Sequence, residues 1–243
     1  MVKEGGNELL KTGIPGFDKV LKGGLREGSF VLISGVPGTG KTFFGMQFLL
    51  EGLKSGEKAL MITTEESPAQ VKQHALTLGL DLDGFEAKKQ LFFVQQEISD
   101  KKLMSIAAPL ELIRREKIKR VVLDSLTLFK YMHTAGAIDF RKELLSFLNV
   151  MRSVGVTLLV TAEREMASLD MLQYKSFDFL FDGVVVLTRI RKGASFERCI
   201  TVQKMRGQDH SMNVFPFAIG NGGIIIYPDQ PPFSLMEQDE RVK

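Results

Sequence analysis

The sequence predicts an α/β fold: a mainly parallel sheet flanked by helices, with antiparallel β-hairpins at its C-terminal end. Three observations carry that expectation. Short β-branched or aromatic runs alternate with helical stretches as far as residue 162: SFVLIS (29–34), KALMIT (58–63), QLFFV (90–94), RVVLDS (120–125) and VTLLVTA (156–162). This is the rhythm of strands joined by crossover helices. The first, fourth and fifth runs are almost continuously apolar, as strands covered on both faces must be. After residue 180 the runs FDGVVVLTRI, FERCITVQKM, VFPFAI and GGIIIYP are separated by turns too short to hold helices, which marks hairpins.

The elements follow in chain order. TFFGMQFLLEGLKSG reads as a helix that stops at Gly56, because glycine accepts the left-handed backbone that ends helices. Beyond KALMIT, Ser67, Pro68 and Gln70 supply an N-cap, a first-turn proline and a capping-box partner, so a helix starts there. In DFRKELLSFLNVMRSVG, Leu144, Leu145, Leu148 and Met151 are assigned to one buried stripe before Gly155 stops the helix. The tail PDQPPFSLMEQDERVK, with three prolines and mixed charge, is a loosely attached end or an arm toward a partner. No linker, repeat or low-complexity segment divides the chain. We therefore expect one domain over residues 1–243, with a core of about 12–228 and a tail of 229–243.

Composition narrows the functional classes. Lys plus Arg number 32 against 29 for Asp plus Glu, a net charge of +3 that neither requires nor excludes a polyanion. The single cysteine, Cys199, forms no intrachain disulfide, and His74, His133 and His210 have no metal-ligand spacing. A reducing, cytoplasmic setting is expected. MVKEGGNELLKTG lacks an apolar leader, and the longest apolar runs are too short to span a bilayer, so membrane insertion is not expected.

GVPGTGKT (35–42) follows an apolar strand and runs into a helix, the context that a phosphate-binding G-x-x-x-x-G-K-T loop requires. Its residues Gly35, Val36, Pro37, Gly38, Thr39, Gly40, Lys41 and Thr42 form the expected nucleotide cradle. Glycines 35, 38 and 40 let backbone N–H groups face phosphate oxygens beside the positive end of a helix. Lys41 would reach the β- and γ-phosphates of ATP, and the Thr42 hydroxyl would bind Mg²⁺. Asp124 ends a buried strand, where ligands of open α/β sheets bind, and is the second expected nucleotide and metal residue. Glu65 and Glu66 sit in a strand-to-helix crossover at the same edge. Their bland reading is helix-dipole complementation; the functional one is that either carboxylate orients and deprotonates an attacking water. Lys204 and Arg206, two apart in an extended segment, present two cations on one side, either as a protected strand edge or as a site for an anion.

In this order TGIPGFDKVLKGGLREGSFVLISGVPGTGKT, TTEES, RVVLDS and VQKMRGQDH resemble the KaiC-type branch of the RecA ATPase superfamily, over about Thr12 to Pro228. The paired glutamates and the K-M-R-G-x-x-H stretch are the specific part of the likeness. The resemblance implies a RecA-like P-loop core, a hexameric ring and ATP or ADP at subunit interfaces. Lys204 and Arg206 would then project onto the γ-phosphate held by a neighbouring subunit, with His210 near that nucleotide. It also implies slow turnover, a regulatory or signalling use and a possible protein partner, and it places Thr161 and Glu163 where these enzymes carry a polar sensor. The circadian-clock ATPase of that branch is a tandem duplication whose second domain is phosphorylated on adjacent Ser and Thr. Here Asp178 and Phe179 stand at those positions, which argues against autophosphorylation. Two alternatives stay open. One is a recombinase-like DNA-binding ATPase, with RIRKG (189–193), KYMHTAG (130–136) and QKMRG as contacts, although no strongly basic face is evident. The other is a non-catalytic nucleotide-sensing scaffold such as the ATP-binding component of an archaeal motility motor.

Overall fold

The computed structural model describes residues 9–96, 107–127, 140–164 and 175–233. Strand β1 (Leu9–Leu10) pairs antiparallel with β2 (Leu25–Arg26) around the short helix α1 (Phe17–Val20). The main chain of alternation then begins: β3 (Phe30–Gly35), α2 (Lys41–Lys54), β4 (Ala59–Thr63), α3 (Pro68–Thr77), α4 (Asp83–Ala87) and β5 (Leu91–Gln95). It continues through α5 (Ala107–Glu116), β6 (Arg120–Asp124), α6 (Phe140–Ser153) and β7 (Thr157–Glu163). Four further strands follow: β8 (Gly183–Lys192), β9 (Ser195–Met205), β10 (Val214–Gly220) and β11 (Gly223–Ile226).

These strands make one nine-stranded sheet in the order β11-β10-β9-β8-β3-β7-β6-β4-β5. From β8 to β5 all pairs are parallel, and β9, β10 and β11 add on antiparallel. FDGVVVLTRI joins the expected antiparallel extension to the parallel sheet: β8 pairs parallel with β3 on one side and antiparallel with β9 on the other. Val184 to Leu187 are all buried, because this strand is covered on both faces like β3, β4, β6 and β7.

Strand alternation divides the core into two layers. Val31, Ile33, Val122 and Leu159 face the layer containing Phe44 and Phe48 of α2, whereas Phe30, Leu32, Val121, Leu158 and Val160 face the layer containing Leu144 and Leu148 of α6. One correction falls in α6. Leu144, Phe147, Leu148 and Met151 are buried, while Leu145 is 43% exposed. The i, i+3, i+4, i+7 spacing runs through Phe147, and Leu145 lies one residue, about 100°, off that stripe. Leu144→Ala should therefore lower unfolding stability by about 2–5 kcal/mol, and Leu145→Ala by less than about 0.5 kcal/mol. Chemical denaturation of the two variants checks this ordering.

The crossovers deliver their strand ends to one edge. Parallel register pairs Thr63 with Asp124, Leu123 with Val160 and Gly35 with Glu163, so β4 and β6 end together and β3 and β7 end together two residues further along, all at one edge. Among the described residues, no helix is long and apolar enough to cross a membrane. Cys199 is buried, and burial, with the Glu197 charge, pushes its thiol up to about 12, which leaves it unreactive.

Candidate functional site

The loop after β3 adopts its shape because its glycines allow it. Gly38 and Gly40 have φ of 75° and 94°, in the left-handed region that side chains disfavour. At Gly35 a Cβ would lie 2.2 Å from the Leu187 carbonyl oxygen, so the loop leaves the sheet at a point where only glycine fits. Thr39 closes the loop internally, its hydroxyl donating to the Val36 carbonyl at 2.8 Å. The Lys41 amine donates to the carbonyls of Gly35 and Val36 at 3.1 and 3.2 Å. Burial lowers the Lys41 pKa, opposed by the charges of Glu163, Asp124 and Glu65. Val36 and Pro37 cross the loop's crest, where Arg189 of β8 donates to the Pro37 carbonyl at 3.2 Å.

Thr42, in the first turn of α2, donates its hydroxyl to Asp124 Oδ2 at 2.8 Å, and Thr161 of β7 donates to Asp124 Oδ1. Burial raises the Asp124 pKa, the two hydroxyl donors oppose that, and the Glu66 and Glu65 charges add to it. A hydroxyl and a carboxylate in contact are the hard oxygen donors that Mg²⁺ accepts, and Mg²⁺ commonly takes only one or two protein ligands beside phosphate and water.

The two glutamates are held differently. Glu65 Oε1 accepts a 2.6 Å hydrogen bond from the Ser125 hydroxyl, directly after Asp124. Glu66 Oε2 lies 3.2 Å from His74 Nδ1 of α3. Helix α3 begins with the expected capping box, in which Ser67 and Gln70 satisfy each other's backbone N–H groups and Pro68 occupies the first turn. Thr64 and Ser125 lock the ends of β4 and β6 together: Thr64 donates to the Ser125 carbonyl, and its Oγ1 accepts the Ser125 N–H, both at 3.0 Å.

Lys204 and Arg206 occupy the opposite edge of the sheet. Gly35 is level with Leu187 and so with Ile200, whereas Lys204 is level with Val184 and Leu32. That separation is about 10 Å along the strands and about 10 Å across two inter-strand spacings. The register shifts between Val184 and Val185, and Arg206 lies one residue past the end of β9. Both cations nevertheless converge on one segment. The Lys204 amine donates to the carbonyls of Phe181 and Asp178 at 2.6 and 3.4 Å, and Arg206 Nη2 to that of Phe179 at 3.1 Å. Burial, and then the neighbouring Arg206 charge, lower the Lys204 pKa. His210 lies in the following turn, whose Gln208 is fastened to the Leu21 and Gly24 carbonyls. Its ring Nδ1 is buried with no hydrogen-bond partner among the described residues.

Sequence reasoning missed Ser125 and Thr64. Only their position at strand ends marks them, and their roles depend on partners distant in sequence. His133 and KYMHTAG lie outside the described residues.

A family model described as "ATPase: KaiC" matches residues 10–231. The "Circadian clock protein KaiC3" of Synechocystis sp. is 34% identical over 234 residues, 92% of this chain and 46% of that protein. The "UPF0273 protein" of Thermotoga maritima is 32% identical over 91% of this chain and 96% of its own length. The "UPF0273 protein PH0284" of Pyrococcus horikoshii is 34% identical over 91% and 94%. The chain thus spans about half the length of the clock relatives it matches and nearly all of the UPF0273 relatives. A family match over almost the whole described fold, joined to a glycine loop, Lys41, Thr42 and Asp124 at one sheet edge, means that this chain belongs to the KaiC family of ATPases, within the RecA-like P-loop fold.

Proposed function

We propose that this protein, as a single domain, is a Mg²⁺-dependent ATPase that hydrolyses ATP at interfaces between copies of itself and uses nucleotide state to control assembly or a partner. One observation carries this reading. The parts expected of a phosphoryl-transfer site are present, but the loop with its metal residues and the cation pair lie at opposite edges of one sheet. Such a chain would complete its site by head-to-tail association, and a head-to-tail interface that closes gives a ring, for which the resemblance to the KaiC-type branch implies six subunits.

In this assignment the loop amides and Lys41 bind and orient the phosphates. Thr42 and Asp124 would hold Mg²⁺, which when bound neutralises phosphate charge. Glu65, oriented by Ser125, takes the proton of the attacking water. Glu66, held toward α3 by His74, supports the crossover. The neighbour's Lys204 and Arg206 stabilise charge on the transferred phosphoryl group, with the neighbour's His210 beside the nucleotide. Glu65→Gln should reduce turnover about 10²–10⁴-fold, with ATP affinity within about threefold, and Glu66→Gln should cost less. A larger loss at Glu66 would move the base. The overall reading is tested by ATP turnover with Mg²⁺ and with excess chelator. Mg²⁺-dependent phosphate release supports it; tight ATP binding with no release at any protein concentration would assign the protein to nucleotide sensing.

One feature favours a DNA-binding second reading. The β8–β9 hairpin pairs Arg189 with Arg198 and Arg191 with Phe196, and Phe196 is 67% exposed. Cations beside an exposed aromatic suit single strands. Salt-dependent retention on single-stranded DNA, with stimulated turnover, would favour that reading.

A further inference from the structure

Arg164 and Asp178 have no place in the site described above, yet they are among the most deeply buried charges in the described chain, at 4% and 1% exposure. Arg164 reaches the base of the phosphate loop twice. Its N–H donates to the Gly35 carbonyl at 3.1 Å, and its Nε donates to the Ser34 hydroxyl at 3.0 Å. Its Nη2 then meets Asp178 Oδ2 at 2.7 Å, an oxygen that also accepts the Lys175 N–H at 2.9 Å. Asp178 opens the 178–180 turn, and the carbonyls of Asp178, Phe179 and Phe181 are the groups that hold Lys204 and Arg206.

A buried ion pair is a weak source of stability, since packed apolar side chains often replace one at no loss. This one also leaves Asp178 Oδ1 buried without a hydrogen-bond partner among the described residues, an added cost. What the pair supplies is a fixed link between two places: the loop that holds one nucleotide and the turn that carries the cations offered to another.

We infer that Arg164 and Asp178 are positioning residues for phosphoryl transfer: their ion pair sets the turn on which Lys204 and Arg206 are presented to the adjacent subunit. The inference rests on the intersubunit reading proposed above. Asp178→Asn keeps the side chain's shape and removes its charge. Alone, it should lower kcat for ATP at least tenfold while KM and ATP affinity stay within about threefold, a split that general loosening of the fold would not produce.

The deciding readout is complementation. Asp178→Asn subunits retain an intact phosphate loop and lack a well-set cation pair. Mixed with Lys41→Ala subunits they should recover turnover; mixed with Arg206→Ala subunits they should not. Recovery with Arg206→Ala instead, recovery with neither, or full activity of Asp178→Asn alone would each overturn the inference. If Asp178→Asn fails to fold, Arg164→Lys, which keeps the buried charge and loses the fork of donors, goes through the same mixtures with the same expected results. A Lys41→Ala and Arg206→Ala mixture runs alongside: its failure to recover refutes the intersubunit reading itself, whereas its recovery beside a failed Asp178→Asn mixture refutes only the role of the ion pair.

Discussion

Lys41→Ala should weaken ATP binding by about two orders of magnitude or more, measured by calorimetry with Mg²⁺ present. Lys41 is the first residue of α2, and its amine stands over the loop at 3.1 Å from the Gly35 carbonyl. Hydrogen bonds to charged groups are each worth about 1.5–3 kcal/mol, and the β- and γ-phosphates together would take two of them. Burial lowers the amine's pKa, but Glu163, Asp124 and Glu65 favour its charged form. The substitution removes the loop's own cation and leaves the charges of these three carboxylates opposing the phosphates. Lys41→Arg should not restore affinity, because a planar fork does not replace a point charge in a tight loop. Unchanged affinity in Lys41→Ala would refute the site.

Arg206→Ala should cut turnover about 10³–10⁵-fold while ATP affinity stays within about threefold. The asymmetry follows from where charge develops. A cation brought to the γ-phosphate by a neighbour acts mainly in the transition state, so its loss appears in kcat. Arg206 is exposed and donates to the Phe179 carbonyl, so its removal should leave the unfolding midpoint nearly unchanged. Lys204→Ala should lose both turnover and some stability, because its amine is partly buried against the Phe181 carbonyl at 2.6 Å. Full activity of Arg206→Ala would return the pair to a charged strand edge.

Much of this was legible in the sequence where the cause is local. A glycine loop between a strand and a helix, an aspartate closing an apolar strand, and a serine, proline and glutamine opening α3 each specify their structure within a few residues. What failed, or had no local signal, depends on phase or distance. The choice between Leu145 and Phe147 turned on one residue of helical rotation. The parallel pairing of β8 with β3 joins residues about 150 positions apart, and no short pattern records it. Ser125 under Glu65 and Asp178 under Arg164 are ordinary residues until the fold supplies their partners.

The most direct test is ATP turnover in an equimolar mixture of Lys41→Ala and Arg206→Ala, compared with each alone. In randomly mixed rings about a quarter of the interfaces join an intact loop to an intact cation pair, so turnover should recover to about a quarter of the wild-type rate. Recovery of that order means that the oligomer, not the subunit, is the enzyme. No recovery, with each variant folded and mixed assembly shown by native mass spectrometry, would contradict the account and leave Arg206 acting within its own chain or not at all.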